Sequence, residues 1–254
     1  TGLIDTRGGT RTGAGNGFAG GAVTIDGDTI AVNTINTSGG NADTEGLGGN
    51  AGLVTLNATN ATPTITLNGA TITAQGGNAA TATAANNNAG TGGAVTFQDA
   101  VILGTNVSIS TTPGTATGSG TATGGVISFQ STVAATSAGV QTLTLAAGDT
   151  GATAGGTGLV TGGDITFTGA AGTTRLGGLT INSGDDVNFV AGVTSNALTT
   201  TSKSFTATTI TTGSVAGQAG GAVDINMGTT DGAVSITGLI DTRGGTRTGA
   251  GNGF

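Results

Sequence analysis

Cysteine is absent from the 254 residues, so neither a disulfide framework nor a thiolate metal site exists, and the chain must be held together by other means. Histidine, tryptophan and tyrosine are missing too, and charged residues make up only 7% of the chain. With 6 basic residues and a net charge of −7 there is no basic patch or aromatic platform for nucleic acid. Without Trp or Tyr there are no aromatic girdles of the kind a transmembrane β-barrel carries. Residues 46–98 hold no charge at all, yet they are Gly, Asn, Thr and Ala rather than the ~20 apolar residues of a membrane helix. Proline occurs twice, at Pro63 and Pro113, and the 53 glycines follow no G-X-Y period, which excludes a collagen triple helix. Those glycines also recur too often for any window to keep a 3.6-residue apolar stripe, so no helix of ordinary length is expected.

What is present is repetition. TGLIDTRGGTRTGAGNGF runs from Thr1 to Phe18 and returns letter for letter from Thr237 to Phe254, an offset of 236 residues. Self-similarity at a fixed period is the mark of an array. The sequence therefore reads as one continuous segment, 1–254, cut from a longer chain: residues 1–236 are one full repeat and 237–254 open the next.

A shorter repeat lies inside the long one. Gly-rich runs lead into alternating triplets: GGAVTI (Gly20–Ile25), AGLVTL (Ala51–Leu56), GGAVTF (Gly92–Phe97), GGVISF (Gly124–Phe129), GGDITF (Gly162–Phe167), GDDVNF (Gly184–Phe189) and GGAVDI (Gly220–Ile225). Period-2 alternation of this kind marks a strand with one buried face. The inward pairs are Val23/Ile25, Val54/Leu56, Val95/Phe97, Ile127/Phe129, Ile165/Phe167, Val187/Phe189 and Val223/Ile225. The outward column is Thr24, Thr55, Thr96, Ser128, Thr166, Asn188 and Asp224. Four of the seven Phe residues share one triplet position, so stacking in register would build a ladder of rings.

After each triplet comes a second strand-like stretch, such as Thr29–Ile35, Thr64–Thr73, Val101–Ile109, Val140–Leu145 and Leu179–Ile181. Ser204–Thr211 reads as a weaker second stretch in the coil that starts at Val187, and Val234–Ile240 as the one after Val223. Loops of Gly, Ala, Thr, Asn and Ser then vary in length while the strands do not, and should form a fringe along one side of a rod. An antiparallel sandwich explains the alternation as well, but aligned Phe residues and a common Gly entry favour parallel stacking of equivalent coils. Uneven coil lengths argue against a tight left-handed hexapeptide solenoid. The expected fold is an all-β, right-handed parallel β-helix with about seven coils per repeat, rising roughly 34 Å at ~4.8 Å per rung.

The pattern GGxVxI, a second strand and a TSGG or DTRGG turn, seen in Gly20–Ala42 and again in Gly2–Gly9, resembles the filamentous-haemagglutinin-like giant secreted repeat adhesins. That resemblance implies a right-handed β-helix, secretion to the cell surface and a role in adhesion or matrix. Together with the long repeat it points to a non-catalytic structural module of an extracellular fibre, stalk or adhesin shaft. The alternative is an adhesin whose Gly-rich fringe binds carbohydrate or another surface. The expected partners are further copies of the chain, in tandem and side by side, and matrix or surface polysaccharide; nucleic acid and a membrane-spanning segment are not expected.

Candidate chemistry is sparse. No cofactor is expected unless it is calcium, whose hard-cation ligands would come from turn acids: Asp26 and Asp28, Asp43 and Glu45, Asp185 and Asp186. None recurs with the nonapeptide spacing of calcium-binding β-rolls, and solvated turn acids are the plain alternative. Arg7, Arg11, Arg243 and Arg247 hold four of the six basic charges, and stacked loops would let them meet Asp43 and Glu45 one coil later. An ice-binding face needs Thr-x-Thr on successive strands, but the TAT triplets at Thr81, Thr115 and Thr121 fall in loops. Glycan cleavage needs paired carboxylates with a base, and Asp185/Asp186 with Lys203 is the one cluster of that type. Sequons at Asn36, Asn57, Asn60 and Asn106 follow from composition.

Overall fold

A computed structural model of the chain describes residues 2–69, 71–81, 87–148, 159–182, 185–213, 219–227 and 232–245. Twenty-four of its strands form three eight-stranded parallel sheets, visited along the chain in the order sheet 1, sheet 2, sheet 3; two more, Ala122–Thr123 and Val160–Thr161, pair with each other within the loops between sheet 3 and sheet 1. This is the all-β parallel β-helix expected of the sequence, with three strands per coil. Sheet 1 stacks Val23–Gly27, Val54–Ala58, Val95–Phe97, Ile127–Phe129, Ile165–Phe167, Asp186–Phe189, Ser204–Ala207 and Val234–Ile236. Sheet 2 runs from Ile30–Val32 to Ile240–Asp241, and sheet 3 from Leu3–Asp5 to Val223–Asn226.

The alternation is what makes these segments strands. In Val95–Phe97, Ile127–Phe129 and Ile165–Phe167 the outer residues are buried and the middle one is not, because successive Cβ atoms leave a strand on opposite faces. Equal positions then pair: Val54 with Val95, Val95 with Ile127, Ile127 with Ile165, Ile165 with Val187. The core is a column of such residues from all three sheets, including Ile35, Ile72, Ile109, Leu145 and Ile181 on sheet 3.

The ring ladder is present. Phe97, Phe129, Phe167 and Phe189 stack with centroids 4.7, 4.6 and 4.6 Å apart and planes within 9°. Carbon surfaces touch at about 3.5–4 Å, so near-parallel rings at this spacing are offset, the arrangement that aromatic quadrupoles favour. The strand spacing of ~4.8 Å therefore sets ring geometry. Phe205 ends the stack, tilted 50° at 5.8 Å from Phe189, because it stands opposite Val187 and so two places earlier in the strand.

One assignment from the sequence is corrected here. Val223 and Ile225 do turn toward the core, but on sheet 3, where Val223 pairs with Leu198. The seventh place on sheet 1 belongs to Ser204–Ala207, expected to be a weak second strand, and the eighth to Val234–Ile236. The outward polar column accordingly passes from Asn188 to Thr206 and Ser235, not to Asp224. The reason is length: 18 residues separate Val187 from Phe205, enough for a full coil with tight corners and no Gly-rich loop. On sheet 3 the aliphatic column is interrupted once, at Thr200, a buried hydroxyl with no hydrogen-bond partner.

The ladder makes a differential prediction. Phe129→Ala removes a fully buried ring between two neighbours and should cost about 3–5 kcal/mol, whereas Ser128→Ala on the outward face should stay within about 0.5 kcal/mol. Denaturant midpoints of the two variants check this; equal midpoints would remove the ladder from the account of stability.

Candidate functional site

The largest departure from a plain rod is a projecting fin. In the first five coils long loops join sheet 3 to sheet 1, residues 6–22, 37–53, 74–94, 111–126 and 147–164; the first, second and fourth are described throughout and run outward and back, and the third and fifth are described at their roots and along part of their limbs. Each loop is closed at its root. Gly21 N–H donates to the Thr6 carbonyl at 2.7 Å while Thr6 Oγ1 donates back to the Gly21 carbonyl at 2.6 Å. Thr37 with Gly52 and Thr111 with Gly125 form the same two-bond clasp. Ala74 with Gly93 and Ala147 with Gly163 keep the main-chain half alone.

Beyond the clasp, outgoing limbs stack on outgoing limbs and returning on returning. Gly39 N–H reaches Gln75 and Gly76 N–H reaches Thr112 on one limb; Gly48 N–H reaches Asn88 and Ala89 N–H reaches Thr121 on the other. A second set of bonds zips the limbs together: Gly49 N–H to Gly40, Gly77 to Gly49, Gly90 to Gly77 and Gly114 to Gly90, each carbonyl 2.8–3.1 Å from its donor. The fin is thus two main chains thick. Glycine is required there by close approach: a Cβ on Gly77 would run into the Gly40 carbonyl, and one on Gly90 into that of Gly49. Asparagine completes the frame, since Asn41, Asn78, Asn50 and Asn88 each accept a main-chain N–H from the next coil at 2.8–3.0 Å. The Gly and Asn bias of the sequence is the composition of this fin. Thr-x-Gly-Gly at Thr6 and Thr37, and the Gly-Gly pairs that close four of the five loops, at Gly20, Gly92, Gly124 and Gly162, were the available signal for it.

Where the fin meets sheet 3 there is a polar groove of about 500 Å³, bordered by Arg7, Ser38, Asn41, Gln75, Asn78 and Thr112. A second groove, about 380 Å³, lies beside Arg175, Thr211, Asp241 and Arg243.

The arginines do not pair as expected from stacked loops. Arg7 holds Asp5 of its own segment through Nε and Nη2, at 2.9 and 2.8 Å, and Arg243 holds Asp241 in the same way at 2.9 and 2.7 Å. Two residues apart in extended chain, the partners lie on one side and meet without leaving the segment. Arg11 lies 5.8 Å over the Phe18 ring, Asp43 accepts from Gly13 N–H at 3.0 Å, Glu45 bridges Ala14 through its main chain, and Arg247 lies outside the described residues.

The calcium candidates separate. Asp26 accepts from Asn57 Nδ2 at 2.9 Å and Asp28 from Thr59 Oγ1 at 3.3 Å, each binding the next coil. Asp185 and Asp186 come together with Asp164, which the sequence reading did not single out; ligand oxygens of all three lie within 4.8 Å of one another. Its signal was register, because Asp164 precedes Ile165 as Asp186 precedes Val187, and those strands pair. Ser204 Oγ donates to Asp186 at 2.7 Å and Lys203 Nζ stands 3.4 Å from Asp185, so the cluster is bonded from within the chain. Three carboxylates offer oxygen to a hard cation, short of the six to eight ligands calcium takes. Ser183 and Gly184 lie outside the described residues, as do parts of the Thr81 triplet; Thr115 and Thr121 are in the fin.

These elements define a three-sheet parallel β-solenoid carrying a glycine-built fin. Searches against protein-family models, curated proteins and solved structures give no match to this chain. Among the described residues no helix is long and apolar enough to cross a membrane.

Two measurements follow. Gly77→Val should open the fin and leave the coil core folded, giving a new cleavage site within 37–53 or 74–94 in limited proteolysis at an unchanged β-sheet circular dichroism spectrum. The hydrogen bonds from Arg243 hold the Asp241 carboxyl down at about 2. A lowered folded-state value stabilises the chain above the unfolded value of ~3.9, and this contribution is lost as pH falls from there through about 2. Carboxyl NMR should place the Asp241 midpoint at about 2 and return it toward ~3.9 in Arg243→Gln.

Proposed function

We propose that the chain is a structural repeat module of a long extracellular fibre, stalk or adhesin shaft, of the filamentous-haemagglutinin-like type, without catalytic activity. One observation carries this reading. The returning copy of the opening stretch docks as the next rung, Ile240 on Ile210 and Thr211 on Asp241, so the chain adds its next repeat by continuing its own ladders. A strand edge that would invite aggregation is thereby covered by more of the same chain. Each unit adds fixed length, the Phe and aliphatic column resists bending, and the fin offers the contact surface. Placement at the cell surface rests on the resemblance of the repeat motifs. The absence of His from the whole chain and the exposure of the Asp185–Lys203 pair support a non-catalytic role.

A second reading has its own observation. The polar groove at the fin root runs across successive coils, with Ser38, Gln75 and Thr112 at equivalent places, and suits the hydroxyls of a polysaccharide. In that case the shaft is itself the binding element.

Electron microscopy and fibre diffraction of the native assembly test the shaft. Straight rods with a meridional spacing of ~4.8 Å are expected; compact particles strung like beads would overturn it.

A further inference from the structure

The two copies of the opening stretch are identical in sequence and differ in the face they occupy. Leu3–Asp5 is a strand of sheet 3, with Ile4 on Ile35; its copy, Ile240–Asp241, is a strand of sheet 2, with Ile240 on Ile210. The local structure travels with the sequence, since Asp5–Arg7 and Asp241–Arg243 keep the same two-point contact. Only the place around the rod has changed.

The strand count explains the shift. Three sheets of eight strands, visited in strict rotation, make 24 strands from Leu3–Asp5 to Ile240–Asp241, and the last is the copy of the first. One period therefore covers 23 strands, which is seven turns and two thirds.

The fin shows the same shift inside the repeat, independently of the copied stretch. In the first five coils the clasp joins the end of a sheet 3 strand to the start of a sheet 1 strand, as in Thr37 and Gly52. The same two-bond clasp next appears between Thr212 and Gly221, at 2.8 and 2.9 Å, where the chain leaves sheet 2 and enters sheet 3. The triplet that follows, Val223–Ile225, consequently lies on sheet 3, whereas Val23–Ile25 lies on sheet 1. The corners Asn182 to Asp186 and Thr201 to Ser204 are crossed in a few residues, and eight strands, from Ile165–Phe167 to Ile210–Thr211, separate the fifth long loop from the next, so that loop leaves the rod two turns and two thirds later.

We propose that in tandem copies each 236-residue unit is turned by one sheet relative to the unit before it, so that the fin leaves the rod at three corners in succession. Each unit rises about 37 Å at ~4.8 Å per turn of chain, and the fin returns to its first corner after three units, about 110 Å. The inference rests on the shaft reading and specifies its lateral contacts. A shaft with fins at one corner makes ribbons, while one with fins at three corners meets neighbouring copies of the chain on three sides.

The test is a chain of six tandem units in which Thr12, exposed on the fin, and its equivalents are changed to Cys and tagged with small gold particles. The absence of native cysteine makes the tag specific. Electron tomography should show tags stepping around the rod every ~37 Å and returning to one side every ~110 Å. Tags in single file along one side, at every unit, would overturn the rotation and leave the shaft standing. Beads in place of a rod would overturn both. Untagged rods imaged in cross-section give the same answer if Thr12→Cys disturbs the fin, through fin density at three azimuths or at one.

Discussion

The in-register parallel ladder is the constraint from which the rest follows. Hydrogen bonding between coils fixes their separation at ~4.8 Å and sets each residue above its equivalent in the next coil. Apolar residues gain from this, as the stacked rings of Phe97 to Phe189 show. Amides gain as well, because an Asn placed over a main-chain N–H can bond to it in every coil, as Asn41 and Asn78 do. Charges do not. Like charges repeated every ~4.8 Å repel, and the 7% charge content of the chain is consistent with that penalty. Where acids do stack, as Asp164 over Asp186, Ser204 and Lys203 sit beside them.

The fin extends the same logic outside the core. It has few large side chains, so its cohesion comes from main-chain bonds in two directions, coil to coil and limb to limb. That second direction requires the limbs to approach until Cβ atoms no longer fit, which only glycine permits. The high glycine content therefore builds a thin ordered plate and does not signal a flexible linker. The described surface of the fin is mostly main chain, Thr and Asn, with Arg7, Arg11, Asp43 and Glu45 among them, so what it offers a neighbour is chiefly shape and hydrogen bonds.

Much of the fold was legible. The inward pairs from Val23/Ile25 to Val187/Phe189 and the ring ladder could be read because period-2 alternation and aligned Phe residues are local signals. The fin root was legible only as variable Gly-rich loops, since its clasp joins residues about fifteen apart, Thr6 to Gly21 and Thr37 to Gly52. Ser204–Ala207 was misjudged because no glycine closely precedes it, whereas Gly-Gly precedes Val23, Val95, Ile127 and Ile165, and because its inward Phe205 is offset by two places. The local Asp5–Arg7 pairing was passed over for a longer-range one, although two residues of extended chain suffice to bring the partners together.

By itself the sequence determined the 236-residue period, the β architecture, and which side chains of each strand face inward, because these depend on alternation over a few residues. Only the tertiary structure decided on which of three sheets each strand lies. The alternation is the same on all three, so face is not a local property. It is the running total of corners turned since the first strand, and because one period turns 23 of them, not a multiple of three, everything after it is displaced by a third of a turn.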